Sequence, residues 1–471
     1  MEEKVNIQNS KNLVVNSEIN ADNVHIGDIY NTPKLELSKQ WFEDLLAKSI
    51  KTLGERYSKK LNFELPIALT FNGLARNEEF KKELKNIVKG LLEKNRDAIR
   101  TLNRSKAVNE DLLKNIKEFE NKGTEIHNWY KNIKWEEGRS LQYEIIESLI
   151  DSLLKLISKI QNTFYELERL DSPSPKKYET RKYSDETYCL GQLSQSGYQF
   201  ERFIESNSFH LANNPFLLLK GDGGHGKSHL LADVAKNHQS NGGFSILLLG
   251  QYFYKGEVWS EILKQLSISS FHTKDELLLV LNEIGKASGK RVMFFIDALN
   301  EGEGKVIWRG QLVGFLEDFK KYTWLGVVIS VRTTFLKSIV PSDLLENEEK
   351  LLKITHQGFR GYEYQASKRF FQYFGLQAPK IPLLTPEFTN PLFLLLFCKG
   401  LQKNGYKYVP EGMNGITKII QFFFQGINKS LFEKFEFDLK INIANKCADR
   451  FAQSLTEQKE TLMNYESASL L

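Results

Sequence analysis

One short run constrains the fold of this 471-residue chain more than any other feature. Residues 221–228 read GDGGHGKS, which matches the phosphate-loop pattern GxxxxGK(S/T). The run follows the apolar residues FLLLK and precedes SHLLADVAKNH, whose spacing predicts a helix. A strand, a glycine-rich loop and a helix in this order predict an α/β P-loop fold, with a parallel sheet and flanking helices. Further apolar runs predict the other strands of this sheet at 244–249, 292–296 and 326–331.

The phosphate loop, residues 221–228, contains the residue types that nucleotide phosphates require. Its glycines let backbone N–H groups approach phosphate oxygens without interference from side chains. The lysine supplies a charge to the β- and γ-phosphates, and the serine hydroxyl is a ligand for Mg²⁺. We therefore predict ATP or ADP and Mg²⁺ as cofactors, with adenine and guanine both open. The predicted nucleotide-binding residues of the loop are Gly221, Asp222, Gly223, Gly224, His225, Gly226, Lys227 and Ser228.

Two later strands end in charged residues that face the same crevice in such sheets. Asp297 ends the apolar run RVMFFID and is predicted, with Ser228, to bind the metal. Glu301 lies in the next loop and is a candidate for activating water, although its neighbour Glu303 keeps this assignment open. Arg332 ends the run GVVISV, with a surface or capping arginine as the alternative. The predicted catalytic residues are Lys227, Asp297, Glu301 and Arg332.

The rest of the chain divides into segments that differ in composition and in the spacing of their apolar residues. Alternating apolar residues among asparagines predict short strands at the N-terminus, for which a flexible tail is the alternative. An apolar stripe at helical spacing follows, and the prolines of DSPSPKK interrupt it. The predicted parts are a β-rich adaptor or oligomerisation segment (1–34), an α-helical domain (35–170), a linker (171–199), the NTPase domain (200–358), a helical lid (359–410) and a helical, winged-helix-like segment (411–471).

Charge and composition bear on possible partners without identifying one. The net charge is only 64 − 59 = +5, so nucleic acid is not indicated. Residues 81–106 carry nine basic and three acidic side chains, which we interpret as a solvated helix face, with docking to an acidic partner or nucleic acid as the alternative. The apolar runs are too short to span a membrane. Three scattered cysteines without a CxxC pattern fit a reducing compartment, so we expect a cytoplasmic protein with no membrane partner.

Three runs together carry a family resemblance. GDGGHGKSHLLADVA, FFIDALNEG and VVISVRTTF resemble the nucleotide-binding core of the STAND NTPases, relatives of NACHT and AAA+ ATPases. The run HQGFRGYEYQASKRFFQYFG and the later PLLTPEFTNPLFLLLFCKGL are similar to the lid of bacterial antiviral STAND proteins of the Avs type, and residues 53–80 resemble the segment before their ATPase. The resemblance implies that Glu301 ends the Walker B block and that Pro391 lies against the adenine. Asn300 stands where the family often has a second aspartate, which leaves the hydrolysis rate open.

The resemblance implies a signalling switch. Such proteins are closed with ADP, exchange it for ATP, hydrolyse slowly and oligomerise with copies of themselves. It also implies antiviral defence, a phage protein as the trigger, and an effector protein recruited by the N-terminal region. A large C-terminal sensor is missing, so we expect a truncated chain or sensing through a separate partner. Two alternatives stay open: an AAA+-like remodelling or DNA-associated motor ATPase, and a scaffold that nucleotide merely stabilises.

Overall fold

The structure of the protein is a computed structural model. It describes residues 35–105, 110–138, 140–171, 182–254, 256–377, 386–409, 416–435 and 442–457. The predicted β-rich segment 1–34 lies outside the described residues, as do 172–181 and 458–471. No helix in the described part of the chain combines the length and the apolar content that crossing a membrane requires.

The centre of the fold is a sheet of parallel strands. They are β1 (Phe216–Gly221), β2 (Ser245–Leu249), β3 (Val292–Asp297), β4 (Leu325–Arg332) and β5 (Leu352–Thr355). The strand order is β2-β3-β4-β1-β5, and every neighbouring pair is parallel. Strands β1 to β4 are buried along almost their whole length, which explains why they read as continuous apolar runs in the sequence.

The strand order places the charged strand ends side by side. Because all strands run in one direction, their carboxyl ends meet at one edge of the sheet. Strand β4 lies between β1 and β3. Gly221 is in register with Arg332, and Leu249 is in register with Asp297. Arg332 therefore lies between the phosphate loop and Asp297.

Helices precede, connect and follow these strands. Those before the sheet are α1 (Lys39–Leu53), α2 (Thr70–Ala75), α3 (Glu78–Arg104), α4 (Glu110–Lys131), α5 (Tyr143–Asp171), α6 (Ser184–Ile204) and α7 (Asn207–Asn213). Those between its strands are α8 (Lys227–Ser240), α9 (Val258–Gln265), α10 (Lys274–Ser288), α11 (Gly304–Lys320), α12 (Leu336–Ile339) and α13 (Ser342–Glu346). Those after it are α14 (Glu363–Phe374), α15 (Pro391–Lys403), α16 (Ile416–Phe435) and α17 (Ile443–Glu457).

Alternate residues of the strands face two different apolar cores. In β3, Phe294 belongs to the core shared with α10 and α11, whereas Phe295 belongs to the core shared with α2 and α8. Helix α1 lies along β2, where Ser49 Oγ donates a hydrogen bond to the Leu247 carbonyl at 2.6 Å. The sheet is thus covered on both faces, and the predicted α/β fold class with additional helical parts is confirmed.

The long helices α3 to α6 form a bundle with a core of its own. Helices α3 and α5 each pack against both α4 and α6. Phe80, Ile157 and Phe200 from three of these helices are fully buried in that core. Phe209 of α7 belongs to the same core, so the bundle continues directly into the start of the sheet.

Helices α14 and α15 form a small layer beside the carboxyl edge of the sheet, and we call these two helices the lid. Phe370 and Phe397 lie in its core. Leu61, from the segment between α1 and α2, is buried in the same core. The lid is therefore packed against a part of the chain that precedes the sheet by more than a hundred residues.

Three features differ from the expectations. Residues 184–199, expected in a linker, form most of α6, because Leu190 and Leu193 are buried in the bundle core. Helices α1 and α2, expected in a separate helical domain, pack on the sheet instead. Strand β5 is absent from the sequence-based predictions, because its four residues LKIT are only partly buried. Of the predicted winged-helix-like segment, only α16 and α17 lie within the described residues.

Candidate functional site

A cavity lies at the carboxyl edge of the sheet, where open α/β sheets bind their ligands. Its volume is about 270 Å³, and three parts of the chain form its walls. The phosphate loop and the ends of β3 and β4 form its floor. One wall is residues 54–65, which we call the covering segment, and another wall is the lid. The cavity therefore joins residues that are far apart in the sequence.

The phosphate loop has a backbone that requires glycine at two positions. Gly224 has φ +80° and Gly226 has φ +91°, left-handed values that other residues rarely adopt. Residues 223–228 line the cavity, whereas Gly221 and Asp222 do not. Helix α8 begins at the end of the loop, so its first backbone N–H groups and the positive end of its dipole add to the attraction for an anion.

Lys227 is a buried cation without an acidic partner. Its side chain is only 8% exposed, and Nζ donates hydrogen bonds to the carbonyls of Gly221 at 2.6 Å and Asp222 at 3.0 Å. Burial lowers the pKa of Lys227 to about 8, and the charge of Asp297 opposes this shift only in part. Among the described residues, no carboxylate forms an ion pair with this amine. A phosphate group in the cavity would favour the charged form, so the site fits an anionic ligand.

Asp297 and Ser228 offer oxygen atoms that fit Mg²⁺. Asp297 is 2% exposed, and its Oδ1 accepts a hydrogen bond from Ser330 Oγ at 2.7 Å. Ser330 Oγ in turn accepts a hydrogen bond from the Ala298 N–H at 2.7 Å, which fixes the orientation of the carboxylate. Asp297 Oδ2 and Ser228 Oγ have no hydrogen-bond partner among the described residues, and both residues line the cavity. Such hard oxygen donors, completed by phosphate oxygens and water, are what Mg²⁺ prefers.

Glu301 lies in the loop after β3, and two arginines contact its carboxylate. Arg56 Nη1 lies 3.4 Å from both carboxylate oxygens, and Arg332 Nη2 lies 3.8 Å from Oε1. The Glu301 side chain is 16% exposed and lines the cavity. Glu303 is exposed where α11 begins and does not line the cavity. The geometry therefore favours Glu301 over Glu303 as the acid that faces the site.

Asn300 connects the loop after β3 to the end of β4. It is fully buried, and its Oδ1 accepts a hydrogen bond from the Arg332 N–H at 3.0 Å. Its Nδ2 has no hydrogen-bond partner among the described residues. This contact fixes the backbone from which the Arg332 side chain extends towards the cavity.

The covering segment is held on α8 by a group of polar contacts. Asp233 accepts hydrogen bonds from the Tyr57 hydroxyl at 3.3 Å and from Asn62 Nδ2 at 2.8 Å. His229 Nε2 lies 3.1 Å from the Ser58 carbonyl and donates to it. Burial and the adjacent Asp233 raise the pKa of Tyr57 to about 12. These contacts hold the segment beside the phosphate loop.

The covering segment also contacts the lid. Glu55 and Lys399 form an ion pair of 2.7 Å. Phe359, which precedes α14 and lies in the same apolar core as the lid, packs edge to face on Phe63, with the ring centroids 5.9 Å apart. The two walls of the cavity therefore touch each other as well as the site.

The lid contacts the phosphate loop through the start of α15. Asn390 Nδ2 donates a hydrogen bond to the Gly223 carbonyl, and the Leu392 N–H donates one to the Gly224 carbonyl, both at 3.1 Å. Pro391 is the first residue of α15 and lines the cavity, as its predicted role requires. The lid is thus attached to the backbone that is expected to surround the phosphates.

The structure brings together most of the predicted residues and adds others. Lys227, Asp297, Glu301, Arg332 and Pro391 all line the cavity, as does Ser228. His356, Arg56 and other residues of the covering segment also line the cavity, although the sequence did not predict them as site residues. The run GERYSKKLNFELP lacks helical periodicity between two helical stretches, and this irregularity is the signal that could have marked it.

Comparisons with known proteins add little to this geometry. No protein-family model matches the chain, and no curated protein matches it either. Among solved structures, the chain is similar to Cdc6p from Pyrobaculum aerophilum with a TM-score of 0.28 and 15% identity. The match covers 54% of this chain and 71% of that protein.

Proposed function

We propose that this chain binds ATP and ADP with Mg²⁺ and hydrolyses ATP slowly, as a signalling NTPase of the STAND type. The observation that supports this function best is the shared cavity of Lys227, Ser228, Asp297, Glu301 and Arg332. Phosphoryl transfer by this type of site requires a phosphate loop, a carboxylate at the end of another strand of the same sheet and an acid beyond that strand. The cavity also has an apolar side, formed by residues that include Phe359, Phe370 and Pro391, on which a base can lie.

Each residue has a distinct part in the proposed reaction. Lys227 and Arg332 bind phosphate oxygens and stabilise charge that develops on them. Ser228 and Asp297 hold Mg²⁺, which when bound neutralises charge on the phosphates. Glu301 orients the attacking water and accepts its proton.

The contacts of Glu301 support slow turnover. Both carboxylate oxygens lie next to Arg56, and Oε1 also lies next to Arg332. Carboxylate oxygens that contact two guanidinium groups must first leave at least one of them before they can orient an attacking water. In this arrangement the site is better suited to holding nucleotide than to rapid cleavage.

The contacts of the lid support a switch. The lid and the covering segment both contact the phosphate-binding elements, so the number of phosphates bound biases how these parts pack. We propose that ADP favours this packed arrangement and that ATP favours an opened one in which copies of the chain oligomerise. An effector recruited by the N-terminal region, a phage protein as the trigger and a role in bacterial antiviral defence complete the proposal.

Phage challenge of bacteria that express the chain with its neighbouring gene products tests this function. We expect protection with the wild type, and we expect Lys227→Ala to lose it. Lys236→Ala, on the same helix but outside the cavity, is the matched control and should protect. Protection by Lys227→Ala together with reduced stability would favour the scaffold. Rapid ATP turnover stimulated by DNA would favour the motor.

A further inference from the structure

His356 is a buried histidine at the site that the proposed function does not use. It follows β5 directly, is 3% exposed and lines the cavity. Lys227 lines the same cavity. A Cβ atom built on Gly226 would lie 4.0 Å from the Cε1 atom of His356. The imidazole is therefore next to the loop that surrounds the phosphates.

The hydrogen bonds of the ring determine its tautomer. His356 Nδ1 lies 3.0 Å from the Gly358 backbone nitrogen, which can only donate. Nδ1 is therefore the acceptor, and in a neutral ring the proton is on Nε2. Burial is the main reason why the pKa of His356 is lowered to about 4, and nearby Lys227 lowers it further, so the ring is neutral at physiological pH. The result is an N–H donor held in a fixed direction.

This donor is free in the structure. No described residue accepts a hydrogen bond from His356 Nε2, although the ring is almost fully buried. The residue is buried, but Nε2 itself is not among the fully buried polar atoms without a partner, so this atom is open to the cavity that His356 lines. Polar groups of such buried residues usually have a partner in the functional state. The cavity beside Lys227 is where an acceptor is expected. In this type of loop the lysine reaches the β- and γ-phosphates and the backbone surrounds the α- and β-phosphates, so the β-phosphate is common to both.

We propose that His356 is a nucleotide ligand whose Nε2–H donates a hydrogen bond to the β-phosphate. This inference rests on the proposed function, because it requires that the cavity binds a nucleotide. Its consequence extends to the lid. Gly358, held by Nδ1, is followed by Phe359, whose N–H donates to the Thr389 carbonyl at 2.7 Å at the base of α15. One imidazole thus contacts the phosphate on one side and the connection to the lid on the other.

Two substitutions separate the ligand role from a purely structural one. In His356→Asn, the amide oxygen reaches the position of Nδ1 and keeps the contact with Gly358, but nothing replaces the Nε2–H. In His356→Gln, the longer side chain places an amide N–H near the position of Nε2 but gives up the Nδ1 contact. The measurements are dissociation constants of ADP and AMP by calorimetry on the full chain, with the unfolding midpoint of each variant as a check of folding.

The proposal predicts that the two variants differ in their affinity for ADP. His356→Asn should weaken ADP binding about 10- to 100-fold, the range for a hydrogen bond to a charged group, and should leave AMP binding nearly unchanged. His356→Gln should restore most of the ADP affinity. The reverse order, or equal losses for ADP and AMP, would overturn the inference while the nucleotide site stands. If the wild type binds neither nucleotide, the proposed function fails, and this inference fails with it.

Discussion

Gly224 connects the conformation of the phosphate loop to the position of the lid, and its replacement by alanine gives a sharp test of that connection. The residue has φ +80°, and a Cβ atom there would lie 2.7 Å from Asn390 Oδ1 and 3.1 Å from Leu392 Cβ. Alanine therefore meets two obstacles, a left-handed backbone and a side chain that must move. We expect Gly224→Ala to detach the start of α15 from the loop.

The magnitude follows from the contacts that the substitution disturbs. Holding alanine in the left-handed region costs about 1–2 kcal/mol. Asn390 caps α15, because its Oδ1 accepts hydrogen bonds from the Leu392 and Phe393 N–H groups. Loss of this cap when Asn390 is displaced costs about 1 kcal/mol. Its hydrogen bond to the Gly223 carbonyl is lost too, for about 1 kcal/mol more. The free energy of unfolding should therefore fall by about 3 kcal/mol.

Urea unfolding without nucleotide measures this change, and hydrogen exchange at the start of α15 locates it. Gly223→Ala is the matched control, because Gly223 does not have a positive φ and a Cβ atom there would meet nothing within 4 Å. The control should have a stability within about 0.5 kcal/mol of the wild type. If Gly224→Ala is as stable as Gly223→Ala and its α15 amides are equally protected, the proposed attachment of the lid is wrong.

Three other changes test single contacts at the site. Glu301→Gln should keep nucleotide affinity but slow single-turnover ATP cleavage about 100-fold, whereas Glu303→Gln should cleave ATP at the wild-type rate. Equal cleavage rates for the two variants would show that Glu301 does not activate the water. Ser330→Ala removes the hydroxyl that donates a hydrogen bond to Asp297 Oδ1, so the free energy of unfolding should fall by about 1.5–3 kcal/mol in urea titrations. An unchanged free energy would show that this buried hydrogen bond does not stabilise the fold. Arg56→Ala removes one of the two arginines that contact Glu301, and ion pairs with a half-exposed partner are worth up to about 1 kcal/mol. Steady-state turnover at saturating ATP should therefore rise up to about fivefold, whereas a decrease would show that Arg56 assists cleavage.

The central part of the fold could be predicted because its signals are local. The loop GDGGHGKS is complete within eight residues, and Asp297 and Arg332 each end an uninterrupted apolar run. Strand order was not needed for those predictions, since carboxyl ends of parallel strands meet at one edge in any order. The structure then adds that β4 separates β1 from β3, which places Arg332 between the other two groups.

The remaining contacts of the site depend on partners that are distant in the sequence. Arg56 meets Glu301 across 245 residues, and Asn390 meets Gly223 across 167. No local pattern encodes such pairs, because they depend on how α1 and the lid pack against the sheet. The predicted linker extends too far, over residues 184–199, for a related reason. Polar residues at the surface of α6 mask the apolar positions Leu190 and Leu193, which a bundle core buries.

Nucleotide binding by the phosphate loop is the central claim, and calorimetric titration of Mg-ADP and Mg-ATP onto the full chain tests it most directly. We predict saturable binding of one nucleotide per chain. Lys227→Ala should weaken this binding about 10- to 100-fold, because it removes the buried cation that faces the phosphates. Lys236→Ala should bind like the wild type. No heat of binding with the wild type, or equal affinities for the wild type and Lys227→Ala, would contradict the account.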